Sequence, residues 1–148
     1  MDIWEIEGIC MMDQTRDREF LGQGLAFPLR VNARGGLSLV SGVRDIEQSI
    51  RIILSTRPGE RVMRPEFGCR AHELLFEPHD VSTESLVQQY VAEALTMWEP
   101  RIELQGVDVY TDEDLDGALF VEVFYIVKAT HDERSIVYPF FLVGEEGW

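Results

Sequence analysis

The segment TMWEPRIEL, residues 96–104, is where the chain changes its period, and its reading decides the fold. On its N-terminal side, Leu86, Val87, Tyr90, Val91, Ala94, Leu95 and Trp98 recur at helical spacing. Asp80 or Ser82 precedes that helix as its capping residue. On the C-terminal side, Ile102 and Leu104 share one parity, while Val107 and Val109 take the other. The intervening Gln105-Gly106 is therefore predicted as a β-bulge that restores the facing. Between helix and strand stands Glu99-Pro100-Arg101. Proline disfavours helical angles at the residue before it, so the helix stops near Glu99, and Pro100 stiffens the corner. A carboxylate is badly placed there, because a helix C-terminus already carries partial negative charge. If residues 99 to 101 are extended, positions i and i+2 project to one side, bringing Glu99 and Arg101 together. Two readings of that pair stay open: a local salt bridge, or a charged clasp for a partner protein.

Two further strands follow the elbow. Leu119 to Ala129 is apolar on both faces, as a central strand requires, and Ile136 to Leu142 carries Pro139, which marks an edge strand. Upstream, Val43, Ile46, Ile50, Ile53 and Leu54 form the stripe of a helix over 43–55, with Ser41 as its N-cap. Leu25 to Val31 and Leu37 to Val40 read as a hairpin around Asn32-Ala33-Arg34-Gly35-Gly36, with Pro28 confining its strand to an edge. Pro58-Gly59 forces a turn, Arg61 to Pro65 reads as a short extended piece, and Gly68 suits a positive φ. His72 to Phe76 fits one helical turn. The predicted fold class is α+β: two main amphipathic helices packed on a small antiparallel sheet with an exposed edge, plus an N-terminal hairpin. Residues 1–20 read as an acidic arm, and residues 21–148 as a single domain.

The charge is unevenly placed. Of a net −14, residues 1–20 carry six acids and two bases, residues 21–101 ten and nine, and residues 102–148 eleven and two. Such a field argues against nonspecific nucleic-acid binding and against adhesion to an anionic membrane. Twelve of the thirteen bases are arginine, which suits bidentate interface pairs and equally follows from a GC-rich genome. The first residues lack the basic and apolar regions of a secretory signal, and no apolar run approaches a membrane span. Cys10 and Cys69, without metal spacing, are expected as free thiols.

The familiar catalytic and metal motifs fail at specific positions. His72-Glu73 opens an HExxH pattern, but Phe76 stands where the second histidine belongs. Gly22-Gln23-Gly24 starts a glycine fingerprint that Phe27 breaks. Asp112 to Gly117 matches the first half of a calcium loop, yet Val123 replaces its bidentate glutamate, so an acidic hairpin tip competes with that reading. Glu60, Glu66 and Glu73 offer carboxylates for a glycosidase, but their spacing selects no pair. No catalytic residue, cofactor or metal is expected.

A set of short segments, in order over about residues 22 to 128, carries a family resemblance. They are Gly24 to Leu29, Ile46 to Leu54, Thr56 to Arg61, Pro65 to Gly68, Leu75 to Pro78, and Trp98 to Ile102. The chain resembles the baseplate-wedge and sheath-initiator family of contractile phage tails and related injection machines. That family includes the type VI component TssE and the wedge protein W of Mu- and P2-like phages, and it is sometimes labelled lysozyme-like. The resemblance implies a structural, non-enzymatic baseplate component assembled in the cytoplasm, in six copies around the tail tube. It implies that Glu99, Pro100 and Arg101 engage the helical bundle of wedge proteins (TssF/TssG-like). It implies that the last strand, through Ile136, Val137, Tyr138, Phe140 and Phe141, recruits the first ring of sheath subunits by strand exchange. Tube or hub proteins are further expected neighbours. The acidic C-terminal third would either steer a basic partner surface or simply confer solubility. A peptidoglycan hydrolase using Glu60 or Glu66 is the alternative. Replacing Glu99 or Arg101 with alanine is expected, at this level, to leave the isolated fold intact.

Overall fold

A computed structural model describes residues 21–74, 77, 80–111 and 118–141. It comprises two compact units, Met1–Ser49 and Ile50–Trp148, with the division falling inside the first helix.

In the first unit, β1 (Gln23–Leu25) pairs antiparallel with β2 (Leu39–Ser41) in the register Gln23↔Ser41, Gly24↔Val40 and Leu25↔Leu39. The expected hairpin is present, but Leu25 to Val31 is not one continuous strand. Ser38 serves two positions at once: its carbonyl accepts from Ala26 N at 3.0 Å, and its N–H donates to Arg30 O at 2.7 Å. The chain from 27 to 29 therefore loops out around Pro28, which has no N–H to give a ladder. Pairing resumes at the bridge Val31↔Leu37. Asn32 closes the turn, its Oδ1 accepting from Arg34 N at 3.0 Å and Gly36 N at 2.9 Å. Gln48 Oε1 holds the looped segment by accepting from Phe27 N at 3.0 Å.

Helix α1 (Val43–Ser55) has the predicted bounds. Its cap differs. Ser41 belongs to β2, and Gly42, at φ 68°, provides the carbonyl that accepts from Asp45 N and Ile46 N. Ser41 stands one residue too early, because the residue that directly precedes the first helical position, Val43, is Gly42.

In the second unit, the stretch expected to be extended from Arg61 to Pro65 is a stack of turns. Arg64 N donates to Arg61 O at 3.2 Å, Phe67 N to Arg64 O at 3.1 Å, and Gly59 N to Pro65 O at 2.6 Å. The Arg61 guanidinium sits 3.8 Å above the Phe67 ring and holds the stack together. A 3-10 turn (Arg70–Leu74) then leads toward α2 (Val81–Trp98). Asp80 is the N-cap: its Oδ1 accepts from Thr83 N at 2.8 Å and from Ser82 Oγ at 2.6 Å. Val87, Val91, Ala94 and Leu95 form the buried stripe of α2, while Leu86 is exposed.

The sheet of this unit runs β3-β4-β5, all antiparallel, from strands Ile102–Thr111, Ala118–Val127 and Asp132–Phe141. The β3 register shifts between Leu104 and Gly106, which is the bulge anticipated from parity. Beyond it, Val107 and Val109 pair with Val123 and Val121, whose side chains are fully buried. In β4, Leu119, Val121, Val123, Tyr125 and Val127 are buried, while Phe120, Glu122, Phe124 and Ile126 are half-buried. That double apolar character is what the central position demands. Pro139 lies in β5, at the sheet's edge, where a missing N–H can be tolerated. Helix α2 is in contact with β3, so the buried sheet face and the α2 stripe share one core.

Candidate functional site

The elbow is built by a collision of local rules. Helix α2 runs to Trp98, and Glu99 follows at φ −123°, ψ 77°, its N–H still donating to Leu95 O at 3.0 Å. Pro100 then diverts the chain. Residues 99 to 102 form a turn, Ile102 N donating to Glu99 O at 3.4 Å, not the extended piece expected from the sequence. The turn still brings the two charges together. Arg101 Nε donates to Glu99 Oε1 at 2.6 Å, and Nη2 donates to Oε2 at 2.8 Å, a bidentate fork. The Arg101 backbone N–H adds a longer bond to Oε1 at 3.4 Å. Glu99 is 3% exposed, and the Arg101 side chain is 29% exposed.

An acid at a helix C-terminus is thus tolerated because a guanidinium is folded onto it. The site is also pinned from the end of β4. Lys128 N donates to Arg101 O at 3.0 Å, and Lys128 Nζ donates to Pro100 O at 2.9 Å. Glu99 faces inward, so what the elbow presents outward is the exposed Pro100 ring and part of Arg101. No sequence signal announces Lys128, because nothing local marks a residue 28 positions away as a brace for this turn.

The second group of sequence-predicted residues lies on β5, and the strand divides them. Ile136 and Phe140 are core side chains, at 8% and 3% exposure, with Tyr138 half-buried on the same face. Val137 points to the other face and is 42% exposed. The Phe140 ring meets Tyr138 at 4.8 Å between centroids and His72 at 5.3 Å. Ile136 and Phe140 therefore have no side chain to offer a partner, and what this strand presents is its backbone edge. No other described strand lies beyond β5 in the sheet order.

The enzymatic readings find little purchase. Glu60 accepts from Arg57 N at 3.0 Å, and Glu73 is paired with Arg70 at 3.0 Å. Glu66 lines an open cleft of about 410 Å³ with Arg70, Tyr90, Glu93 and Trp98. Cys69 is a free thiol, and burial pushes it up to about 11, so it is no thiolate nucleophile at neutral pH. Cys10 and the acidic segment 112–117 lie outside the described residues. Among the described residues, no group of His, Cys, Asp or Glu could hold a metal ion, and no helix is long and apolar enough to cross a membrane.

His72 has a structural post. Its Nε2 lies 2.8 Å from Leu54 O, and burial lowers its pKa below the ordinary 6.5 against the opposing pull of that hydrogen bond. As the pH drops, the unfolded chain takes the proton before the folded one. The His72 contribution to stability is therefore complete above pH 6.5 and is lost as the pH falls through the depressed folded value. Urea midpoints measured from pH 8 downward are expected to decline below 6.5, and His72→Gln should remove part of that slope. An identical slope in the variant would contradict this assignment.

The described residues thus form a small α+β scaffold with a braced, ion-paired elbow and, among the described strands, an open β5 edge. Residues 40–132 match the model of the family described as baseplate wedge protein gp25, and the chain belongs to that family. It is 36% identical over 92 residues to baseplate wedge protein gp25 of Enterobacteria phage T4, covering 62% of this chain and 69% of that protein. Its fold matches a chain of the anti-feeding prophage baseplate with a TM-score of 0.62 and 26% identity, covering 87% of this chain and 92% of the other. It also matches a Geobacter sulfurreducens protein provisionally described as a tail lysozyme, with a TM-score of 0.63 and 44% identity, covering 70% and 93%. The chain is accordingly a baseplate component of a contractile, phage tail-like system.

Proposed function

We propose that this chain is a non-enzymatic baseplate adaptor that seats on wedge proteins and starts the contractile sheath. The elbow Glu99-Pro100-Arg101 docks against the wedge helical bundle, and β5 accepts a strand from the first sheath ring. Assembly takes place in the cytoplasm, with six copies surrounding the tube, close to tube or hub proteins. The observation that carries this reading is the outer edge of β5, ten residues long and unmatched by any described strand. An unpaired edge of that length invites another chain, and β-augmentation gives a partner backbone bonds in fixed register, which suits the seeding of a repeating lattice. Pro139 interrupts the donor row at one position only.

Electron cryomicroscopy of assembled particles tests this directly. A strand from another subunit is expected along Asp132–Phe141, with helices of another subunit against Pro100 and Arg101. An outer β5 edge in solvent, or an elbow that touches nothing, would overturn the respective half. The hydrolase alternative draws on the name of the Geobacter relative and on Glu66 in the cleft. Clearing of a cell-wall suspension by the purified chain, lost in Glu66→Gln, would replace the non-enzymatic reading.

A further inference from the structure

The N-terminal hairpin exposes a row of large apolar side chains that neither the elbow nor the β5 edge involves. Leu25, Phe27, Leu29, Val31, Leu37 and Leu39 are each between 52% and 69% exposed. Leu25 pairs with Leu39, and Val31 with Leu37, so the register puts these four on one face of the hairpin. Phe27 and Leu29 stand on the looped-out segment between the two pairs. Six large exposed apolar residues on one short hairpin, four of them sharing a face, are the kind of concentration that marks an interaction site.

The charge around this patch runs against that of the whole chain. From residue 21 to residue 44 there is no aspartate or glutamate, while Arg30, Arg34 and Arg44 are all present and exposed. None of the three has an ion-pair partner among the described residues. In a chain of net charge −14, this is an apolar, arginine-bearing segment, with the Asp45 carboxylate against it at Gly24.

We infer that the hairpin is a docking surface for an acidic, amphipathic segment of another protein subunit, one whose apolar side chains alternate with carboxylates. The apolar side chains would cover Leu25, Phe27 and Leu29 and their neighbours, and the carboxylates would pair with Arg30 and Arg34, for which arginine's fork is well suited. A second copy docking hairpin to hairpin is disfavoured, because it would oppose arginines to arginines. An anionic membrane or nucleic acid is disfavoured by the repulsion of the acidic remainder of the chain. The hairpin shares no residue with the elbow or the β5 edge, so the inference stands or falls independently of the proposed docking and sheath contacts.

The test uses the full chain and two synthetic probes, an alternating Leu–Glu peptide and an alternating Leu–Lys peptide of equal length, with anionic phospholipid vesicles as a third. The Leu–Glu peptide is expected to bind at least about tenfold more tightly than the Leu–Lys peptide, with an affinity that weakens as salt rises. Leu29→Glu should weaken the Leu–Glu complex about tenfold while leaving the melting temperature near that of the wild type, since the residue is exposed. The paired substitution Arg30→Glu and Arg34→Glu should reverse the preference toward the Leu–Lys peptide. Equal binding of both peptides, no reversal in the charge-swapped variant, or binding to the vesicles alone would overturn the inference. So would Leu–Glu binding that emerges only after residues 1–20 are deleted, because the acidic arm would then be the occupant.

Discussion

Replacing Gly68 with alanine is expected to destabilise the chain by about 3 kcal/mol or more, a large effect for the addition of a single methyl group. Gly68 sits at φ 126°, in the region that side-chain-bearing residues rarely adopt. It is also buried against backbone: an added Cβ would collide with the Thr56 carbonyl oxygen and lie 2.9 Å from its carbon and 3.2 Å from the Arg57 carbonyl carbon. That oxygen is already engaged, accepting from Cys69 N at 2.9 Å, so relief of the clash would break a bond that ties the turn stack to the end of α1. For a chain of this length the loss corresponds to a fall in melting temperature of roughly 10 °C. Gly59→Ala is the matched control. It also has a positive φ, 91°, but open space around it, so only the conformational cost of about 1 kcal/mol applies. Equal effects at the two positions would mean that the contact with Thr56 does not decide the outcome.

The contrast between these glycines is a measure of what a sequence can show. That both occupy special backbone positions is readable from residue type, a Pro58-Gly59 pair that makes a turn and a glycine at 68 that suits a positive φ. That only one is pressed against another segment depends on where Thr56 lies in space. The same division holds elsewhere. The stripe of α1 and the bulge before Gly106 are local patterns that occur where periodicity and parity put them, and the α2 cap is Asp80, one of the two candidates the sequence offers. Arg61 to Pro65 reads as extended in the sequence because valine and the residue before proline favour extended angles. Long-range groups prevail there: Gly59 N reaches Pro65 O, and the Phe67 ring collects the Arg61 guanidinium.

The candidate sites are legible in the sequence to different depths. Pro139 announces an edge strand, and β5 is one among the described strands. The residues of that strand alternate between the core and the open face, however, so a contiguous set drawn from the sequence mixes buried Ile136 and Phe140 with exposed Val137. The apolar positions of the hairpin, Leu25, Phe27, Leu29 and Val31, read as strand residues with a face to bury. Their exposure does not follow from alternation, which says that one face is apolar and nothing about what covers it. At the elbow, the pairing of Glu99 with Arg101 is expected from the sequence, but its burial is not.

That burial changes what the elbow substitutions should do. Arg101→Ala is expected to cost about 2–4 kcal/mol, because it leaves the carboxylate of Glu99, 3% exposed, without its guanidinium at a helix end that already repels an anion. The lower part of the range usual for broken buried pairs applies, since the Arg101 side chain keeps 29% exposure and its loss is partly answered by water. Glu99→Ala should cost less, because the charge left behind is the one nearer solvent. The sequence-level expectation that both variants fold unaltered is therefore revised. A double variant, Glu99→Gln with Arg101→Ala, measured beside Glu99→Gln alone, separates the causes: with no charge left in the interior, it should recover part of the loss, a coupling of about 1–3 kcal/mol in a double-mutant cycle. Strict additivity would show the pair to be energetically inert. Because stability and docking are then entangled in Arg101→Ala, a docking role has to be judged with the double variant, whose elbow is neutral inside yet lacks the outward guanidinium. If that variant folds and still assembles normal sheathed particles, the elbow is only the corner that holds α2 to β3; if it folds and fails to assemble, Arg101 contributes to the contact between subunits as well as to the fold.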